Sequence, residues 1–302
     1  MFKFERDQVT WEIAGVKVGG QPGRVPTVMI GSIFYHKQKI LENEKTGKIN
    51  REKAEDLLNR EKEISKKTGN SRIVDVCCSW PNAFEKLIDF TAETITGPFA
   101  IDGTTSEVRI AGARHVKEVG LSKQVVYNSI TPGTKEDEII AIREAKIKSA
   151  ILLTLNSKNP TILGRMKVLE KLLSLSIEAG IENILVDTAV LDIPDPGPVS
   201  KTIYLIKEQY GLPAGAGTHN AVERWISARK RYSSKRLLMS IVASVFPIAL
   251  GADFLLYGPI ENAANAYYAS AIADAYVAYG VRQEFKIQPE GRDHPLFKIF
   301  RD

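Results

Sequence analysis

Six apolar runs in this chain end in a carboxylate, a carboxamide or an imidazole: Asp75 in RIVDV, Asp102 in FAIDG, Asn128 in VVYNS, Asn156 in LLTLN, Asp187 in ILVDT, and His219 with Asn220 in GAGTHN. Aspartate offers fixed acceptors, and asparagine offers an acceptor and an amide donor. Such a set suits a flat heterocycle with several N–H groups and a carbonyl. A carboxylate takes a two-point hydrogen bond from a 2-amino-pyrimidinone edge much as it does from a guanidinium. Each residue taken singly has a second reading, as a cap for the helix that follows its strand. Taken together, six polar strand ends converging on one cavity are poorly explained by packing, because buried polar groups without partners are costly.

Other chemistries find less support. The four histidines (36, 115, 219 and 294) lie far apart, and no His/Cys/acid cluster has zinc-ligand spacing, so no metal site is expected. No P-loop, nucleophile elbow or Ser-His-Asp signature occurs. Cys77 and Cys78 are the two cysteines, and DVCCSW has no basic neighbour to lower a thiol pKa, so both read as small core residues. His219 reads either as a proton source or as a core histidine at a strand end. RWISARKRYSSKR (224–236) carries six basic residues that fit either a solvated helix face or attraction of an anionic ligand or partner.

The elements that must position these residues follow from the hydrophobic pattern. Eight apolar, β-branched runs span 27–35, 71–78, 97–104, 124–131, 149–156, 183–191, 212–220 and 253–260. Near-continuous hydrophobicity of this kind is what strands buried on both faces require. Helical patterns separate the runs. Asn50 reads as an N-cap, Pro81 as a first helical residue, TKED (134–137) as a capping-box-like start, and Gly120, Gly180 and Gly211 as left-handed C-terminal caps. Strand–helix alternation at this repeat predicts an α/β chain folded as a (β/α)8 TIM barrel, whose function lies at the strand C-termini. A doubly wound open sheet is the competitor, but no Gly-rich phosphate loop follows the first strand. Residues 1–302 read as one domain: 1–26 an N-terminal cap in which FKFER and TWEIAGVKVGG form a hairpin over the barrel's N-terminal face, 27–260 the barrel, and 261–302 a C-terminal helix and docking tail.

Composition bounds the class. Hydrophobic residues at 44% and charged residues at 25% exclude a disordered chain. With 41 basic against 36 acidic residues, interspersed, a nucleic-acid partner is not expected. Adjacent cysteines give no disulfide framework, and the start MFKFERDQVTWEI has no apolar signal core, so a cytoplasmic location is expected. The longest uncharged stretch, 237–252, contains Pro247 and is too short to span a bilayer; it reads as a core-facing helix.

The motifs GVKVGGQPG, TVMIGSIFY, IDGTTSEVRIAG, YNSI, LVDTAVLD, GAGTHN and DFLLYGPIEN follow one another across nearly the whole chain. In these the chain resembles the H subunit of the archaeal N5-methyltetrahydromethanopterin:coenzyme M methyltransferase complex, one of the pterin-binding, corrinoid-dependent methyltransferases. The resemblance implies a TIM barrel that moves the N5-methyl group of methyl-tetrahydromethanopterin to a cob(I)amide in methanogenic-type one-carbon metabolism. It implies tetrahydromethanopterin as substrate, no cofactor bound by this chain, and a cobamide carried by a partner subunit. Membrane-embedded subunits, a peripheral attachment to that complex and a homodimer are implied as well.

Residue by residue, the resemblance makes Asp102 the anchor for the 2-amino edge, Asn128 a partner of the pyrimidine ring, and Asp187 a second anchor. Asn220 becomes the amide near N5, and with Asp187 it is the catalytic expectation. Asp75, Asn156, His219 and Gly217 complete the expected substrate-binding set. DVCCSW departs from the small or polar residues expected after the Asp75 strand position. The competing functions are a methyl-tetrahydrofolate:corrinoid methyltransferase of a bacterial-type demethylation pathway and a catalytically silent pterin-binding subunit.

Overall fold

The computed structural model describes residues 1–190, 196–223 and 233–300. A short antiparallel hairpin, β1 (Thr10–Ile13) and β2 (Val16–Gly19), precedes the barrel. The barrel strands are β3 (Val28–Ile33), β6 (Arg72–Cys78), β7 (Phe99–Gly103), β8 (Val125–Ile130), β9 (Ser149–Leu153), β10 (Asn183–Asp187), β11 (Ala214–Ala216) and β12 (Phe254–Pro259). A second small hairpin, β4 (Leu41–Asn43) and β5 (Lys48–Ile49), lies between β3 and the first helix. The eight barrel strands pair in parallel in chain order, and β12 closes on β3. Each falls inside one of the eight apolar runs.

Two layers of core follow from strand alternation. Inward residues near the N-terminal end (Val28, Ile30, Ile73, Ala100, Val126, Ile151, Leu185 and Phe254) meet Ile13 and Val18 of the first hairpin, which closes that end of the barrel. The Trp11 indole N–H donates to the Ile184 carbonyl at 3.0 Å and fixes the hairpin to β10. Outward residues pack under the surrounding helices in a larger cluster that includes Val74, Phe99, Tyr127 and Leu152.

Helix ends largely follow the sequence signals. Asn50 caps the helix Arg51–Thr68 by accepting from the Lys53 N–H, and Pro81 opens Pro81–Thr94. Gly120, Gly180 and Gly211 have positive φ after their helices. Several expectations are corrected. FKFER forms no strand: Phe4 is instead held by both main-chain groups bonding the Gln21 carboxamide, so the hairpin is confined to TWEIAGVKVG. TKED makes no capping box, because Thr134 Oγ1 accepts from the Thr131 N–H and is committed to the preceding turn. β9 ends at Leu153, three residues before Asn156, where Thr154 turns its N–H and hydroxyl onto the Asp187 carbonyl. β11 is only three residues long, so His219 and Asn220 open a short helix, His219–Glu223, instead of ending a strand. Gly215 lets the β11 and β12 backbones approach, since a Cβ there would collide with the Phe254 carbonyl oxygen.

The uncharged stretch is the helix Arg236–Ala249, buried on one face through Ala243, Ser244, Pro247 and Ile248. Its other face leaves Leu237, Leu238, Val242 and Phe246 exposed, so it is only half core-facing. The neighbouring helix Ala263–Phe285 exposes Tyr268, Ile272, Tyr276 and Tyr279. Among the described residues, no helix is long and apolar enough to cross a membrane. His294, Pro295 and Leu296 are buried where the tail returns to the barrel.

At the N-terminal end, the buried Lys207 ammonium donates to both Asp253 oxygens (2.5 and 2.6 Å) and to the Gly20 carbonyl. Removing one member of such a pair strands the other charge in the core. Lys207→Ala is expected to lower the unfolding free energy by about 3–5 kcal/mol, measured by urea denaturation; a loss below about 1 kcal/mol would show that this pair behaves like a surface one.

Candidate functional site

Three adjacent strands, β6, β7 and β8, present polar side chains to the C-terminal mouth of the barrel. Asp75 is buried on β6. Its Oδ2 accepts from the Ser32 hydroxyl on β3 at 2.8 Å, and its Oδ1 accepts from the Asn128 amide on β8 at 3.0 Å. Asp102, half-buried on β7, is the direct register partner of Asn128 on one side and of Cys77 on the other. The Cys77 sulfur lies 3.5 Å from Asp75 Oδ2 and 3.6 Å from Asp102 Oδ2, between the two carboxylates. Pairing of β8 with β9 slips at Asn128–Ile130, a bulge of the kind that re-aims side chains beside sites.

The electrostatics follow from this crowding. Burial raises the Asp75 pKa, opposed by the bonds from Asn128, Ser32 and Cys77. Asp102 is pushed up to about 8, first by burial and then by the charge of Asp75. The same burial and both carboxylates drive the Cys77 thiol well above its ordinary range, so it is no nucleophile at neutral pH. The wall therefore holds a proton near neutrality, shared by interacting groups. Asp75, Cys77 and Asp102 bring ligand atoms within 4.8 Å of one another, close enough for a cation to be held.

Across the barrel, Asp187 ends β10, four strands around from β6. Its Oδ1 accepts from the Ala189 N–H at 2.7 Å, and the Gly217 N–H is a second donor. Burial raises its pKa to about 6, against these bonds and the charge of Arg165. Asn220 is exposed, and its amide donates to the Val190 carbonyl at 3.3 Å, which leaves it at the mouth on the Asp187 side. The structure thus gathers Asp75, Asp102 and Asn128 on one wall and Asp187, Gly217 and Asn220 on the other, all at the C-terminal end.

Two expected site residues are engaged elsewhere. Asn156 staples its own loop: its amide donates to the Gly164 carbonyl, and its carbonyl accepts from the Asn159 N–H. The His219 ring lies against β12, where Gly258 has positive φ and an added Cβ would collide with the ring. Burial and the Arg236 charge lower the His219 pKa, which favours the neutral ring. His219 lines a cavity of about 390 Å³ with Arg236, Ser240, Tyr257, Asn262 and Asn265. The basic segment 224–236 falls outside the described residues up to position 232.

Sequence reasoning missed Ser32 and Cys77. Both lie inside apolar runs, GSI and VCC, where one small polar residue carries no signal of its own. Asp75 two residues before Cys77 was the available clue, since alternate strand residues share a face.

Eight parallel strands closed into a ring, with an acid–amide wall at the C-terminal mouth, define a (β/α)8 TIM barrel. Its architecture is that of solved dihydropteroate synthases. The Yersinia pestis enzyme with a sulfonamide drug complex superposes at TM-score 0.63 over 89% of this chain and 98% of that one, at 13% identity. A Coxiella burnetii dihydropteroate synthase in complex with pteroic acid gives 0.59 over 90% and 100%, at 14% identity. Residues 6–290 match the family described as "Tetrahydromethanopterin S-methyltransferase MtrH subunit", and the chain belongs to this methyltransferase family. It is 36% identical to the H subunit of the tetrahydromethanopterin S-methyltransferase of Methanothermobacter thermautotrophicus over 311 residues, 99% of this chain and 100% of that one. It is 35% identical to the H subunit of the putative methyltransferase mtx of Methanosarcina barkeri over 308 residues, 98% and 99% of the two chains.

The proton held at Asp102 has a consequence for stability. Its folded pKa lies above its ordinary value, so the protonated form favours folding at low pH and that contribution is lost as pH rises through about 8. Asp102→Asn is expected to match the ligand-free wild type near its unfolded pKa of about 4 and to exceed it in stability above about 8. Urea unfolding across that range reads the difference; identical curves would show Asp102 titrating as a solvated carboxylate.

Proposed function

We propose that this chain binds methyl-tetrahydromethanopterin at the barrel mouth and presents its N5-methyl group to the cob(I)amide of a partner subunit. The observation that carries the reading is the Asp75–Asp102–Asn128 wall facing Asp187 across the mouth. A 2-amino-4-oxo pyrimidine edge carries N–H donors that match two carboxylates, and the Asn128 amide can turn its carbonyl or N–H to the ring. The ring's own donors then take the place that Cys77 and the shared proton hold in the ligand-free wall.

The cobamide, when the partner delivers it, supplies the nucleophile. This chain's residues orient the pterin and assist the leaving nitrogen. Asp102 and Asp187, on opposite walls, hold the ring so that the N5–methyl bond lies in line with the approaching metal. As that bond breaks, its electron pair stays on N5, which becomes basic and takes up a proton from solvent. An amide donor at N5 strengthens as the charge develops, and we assign that role to Asn220, whose amide beside the Val190 carbonyl supports the reading. No covalent intermediate on the protein is needed.

The same reading supplies partners: a corrinoid-carrying subunit, membrane-embedded subunits that keep this chain at a membrane, and a second copy of the chain. The exposed apolar row on Arg236–Ala249 and Ala263–Phe285 is surface that such an assembly would cover.

Two substitutions separate the roles. Asn220→Ala is expected to slow methyl transfer roughly a hundred- to a thousand-fold while weakening binding of the methylated pterin far less. Asp102→Ala is expected to cost about 2–4 kcal/mol in binding, as loss of one partner of a charge-assisted pair does. Calorimetry with tetrahydromethanopterin and tetrahydrofolate, with and without a chelator, measures binding. Single-turnover demethylation with free cob(I)alamin, followed by its absorption spectrum, measures transfer. Wild-type transfer by saturated Asn220→Ala would move the activating role to another group, and a preference for tetrahydrofolate would make the chain a folate-type enzyme.

A further inference from the structure

Behind the acid–amide wall, outside the barrel, one carboxylate joins the two strands that carry Asp102 and Asn128. Glu138, in the first turn of the helix Glu136–Glu144, is 1% exposed. Its Oε1 accepts from the Tyr127 hydroxyl at 2.5 Å and from Arg109 Nε at 2.8 Å. Its Oε2 accepts from the Ser106 hydroxyl at 2.6 Å and from Arg109 Nη2 at 3.2 Å. The remaining Arg109 nitrogen, Nη1, donates to the Gly103 carbonyl at 2.8 Å.

The connections reach the wall in one step on each side. Gly103 is the residue after Asp102 on β7, and Tyr127 is the residue before Asn128 on β8. Neighbours on a strand point to opposite faces, so what holds Tyr127 outward holds Asn128 inward. Asp102 and Asn128 are register partners, and Glu138 is a cross-brace at that rung of the ladder. Backbone hydrogen bonds set the strands' separation, but they do not lock the tilt of the last rung before the chain leaves the sheet. A bidentate ion pair with three further hydrogen bonds does, because its geometry is stiff and it lies out of water. Arg109 also places its charge near Asp102, where it favours the ionised carboxylate that a pterin would meet.

We propose that Glu138 is a positioning residue that, through Arg109 and Tyr127, fixes the spacing and inward aim of Asp102 and Asn128. The inference rests on the reading of those two side chains as pterin anchors. Glu138 touches no ligand itself, so its effect falls on binding and on the state of Asp102. Glu138→Gln keeps the shape and removes the charge that balances Arg109; Tyr127→Phe removes a single hydroxyl and leaves the ion pair intact.

The test uses the full-length chain. Glu138→Gln is expected to weaken calorimetric binding of the pterin about tenfold or more and Tyr127→Phe by several-fold, in line with couplings between contacting residues. Turnover at saturating pterin is expected to fall by a smaller factor than binding does, because the bound ring still meets Asp187. In an Asp102→Asn background most of the Glu138→Gln effect on binding is expected to vanish, because the two act as a unit. Equal losses in both backgrounds, or unchanged affinity in both variants, would overturn the proposal. The Asp102 carboxyl carbon, followed by NMR in ligand-free protein, gives a readout that needs no pterin. Asp75, Cys77 and Arg109 are the titratable or charged groups that act on Asp102, and loss of the Glu138 charge leaves Arg109 unbalanced. The Asp102 titration is then expected to move to lower pH in Glu138→Gln and to stay in place in Tyr127→Phe. An unmoved Asn128 side-chain amide signal in both variants refutes the brace even if the wild-type chain binds no pterin, which would itself refute only the proposed function.

Discussion

Two carboxylates brought to one sulfur atom are the constraint around which the mouth of this barrel is arranged. Asp75 and Asp102 both come within 3.6 Å of Cys77, and burial adds to their repulsion. A folded chain tolerates this only by supplying donors or by keeping a proton. Here it does both. Ser32 and Asn128 donate to Asp75, and Asp102 keeps its proton to about pH 8. The sequential strand order brings those donors in from β3 and β8, on either side of the two acidic strands. On the proposed reading, a ligand bringing its own N–H groups would take over that compensation.

The fold was readable because its strands are buried on both faces. Each of the eight barrel strands lies inside a continuous apolar run, a signal that survives without knowledge of partners. What escaped was decided by tertiary contacts. FKFER alternates like a strand, but Phe4 finds its main-chain partners in a side chain, Gln21, which no local pattern encodes. TKED has the residues of a capping box, but Thr134 is already bonded within its turn. The apolar stretch 237–252 reads as buried because it lacks charge. Lack of charge does not say which surface covers a helix, and half of this one faces outward.

The candidate residues were legible from a related signal. Asp75, Asp102, Asn128 and Asp187 announce themselves because a charged or amide side chain ending an apolar run needs an explanation. Asn156 looks the same in sequence, but three more residues after Leu153 carry it out of the sheet, where its side chain bonds within its own loop. Cys77 reads as core on the correct observation that no basic group lowers its pKa. Its acidic neighbours on β6 and β7 raise the pKa instead, and they place the thiol in the site as a spacer between charges. Glu138 is invisible in sequence, because an acidic residue in the first turn of a helix is the ordinary helix-dipole arrangement.

The two walls are held differently, and on the proposed reading that difference suits a reaction whose nucleophile a partner delivers. The β6–β8 wall is cross-linked on its inner face by Asp75 and Asn128 and on its outer face by Glu138, Arg109 and Tyr127. Little freedom is left to its anchors, as orientation of a planar ring requires. On the facing side, Asn220 rides on a five-residue helix, and among the described residues its side chain makes one bond, to the Val190 carbonyl at 3.3 Å. Under the proposed function, an amide held by one such bond costs little to redirect toward N5 once ligand and partner are bound. A donor locked against the ring before the partner arrived would favour the bound ground state equally and speed nothing. On the proposed reading, rigidity on the anchoring wall and slack on the activating wall are complementary. The first sets where the methyl group points, and the second lets stabilisation of the leaving nitrogen build up only as the bond breaks.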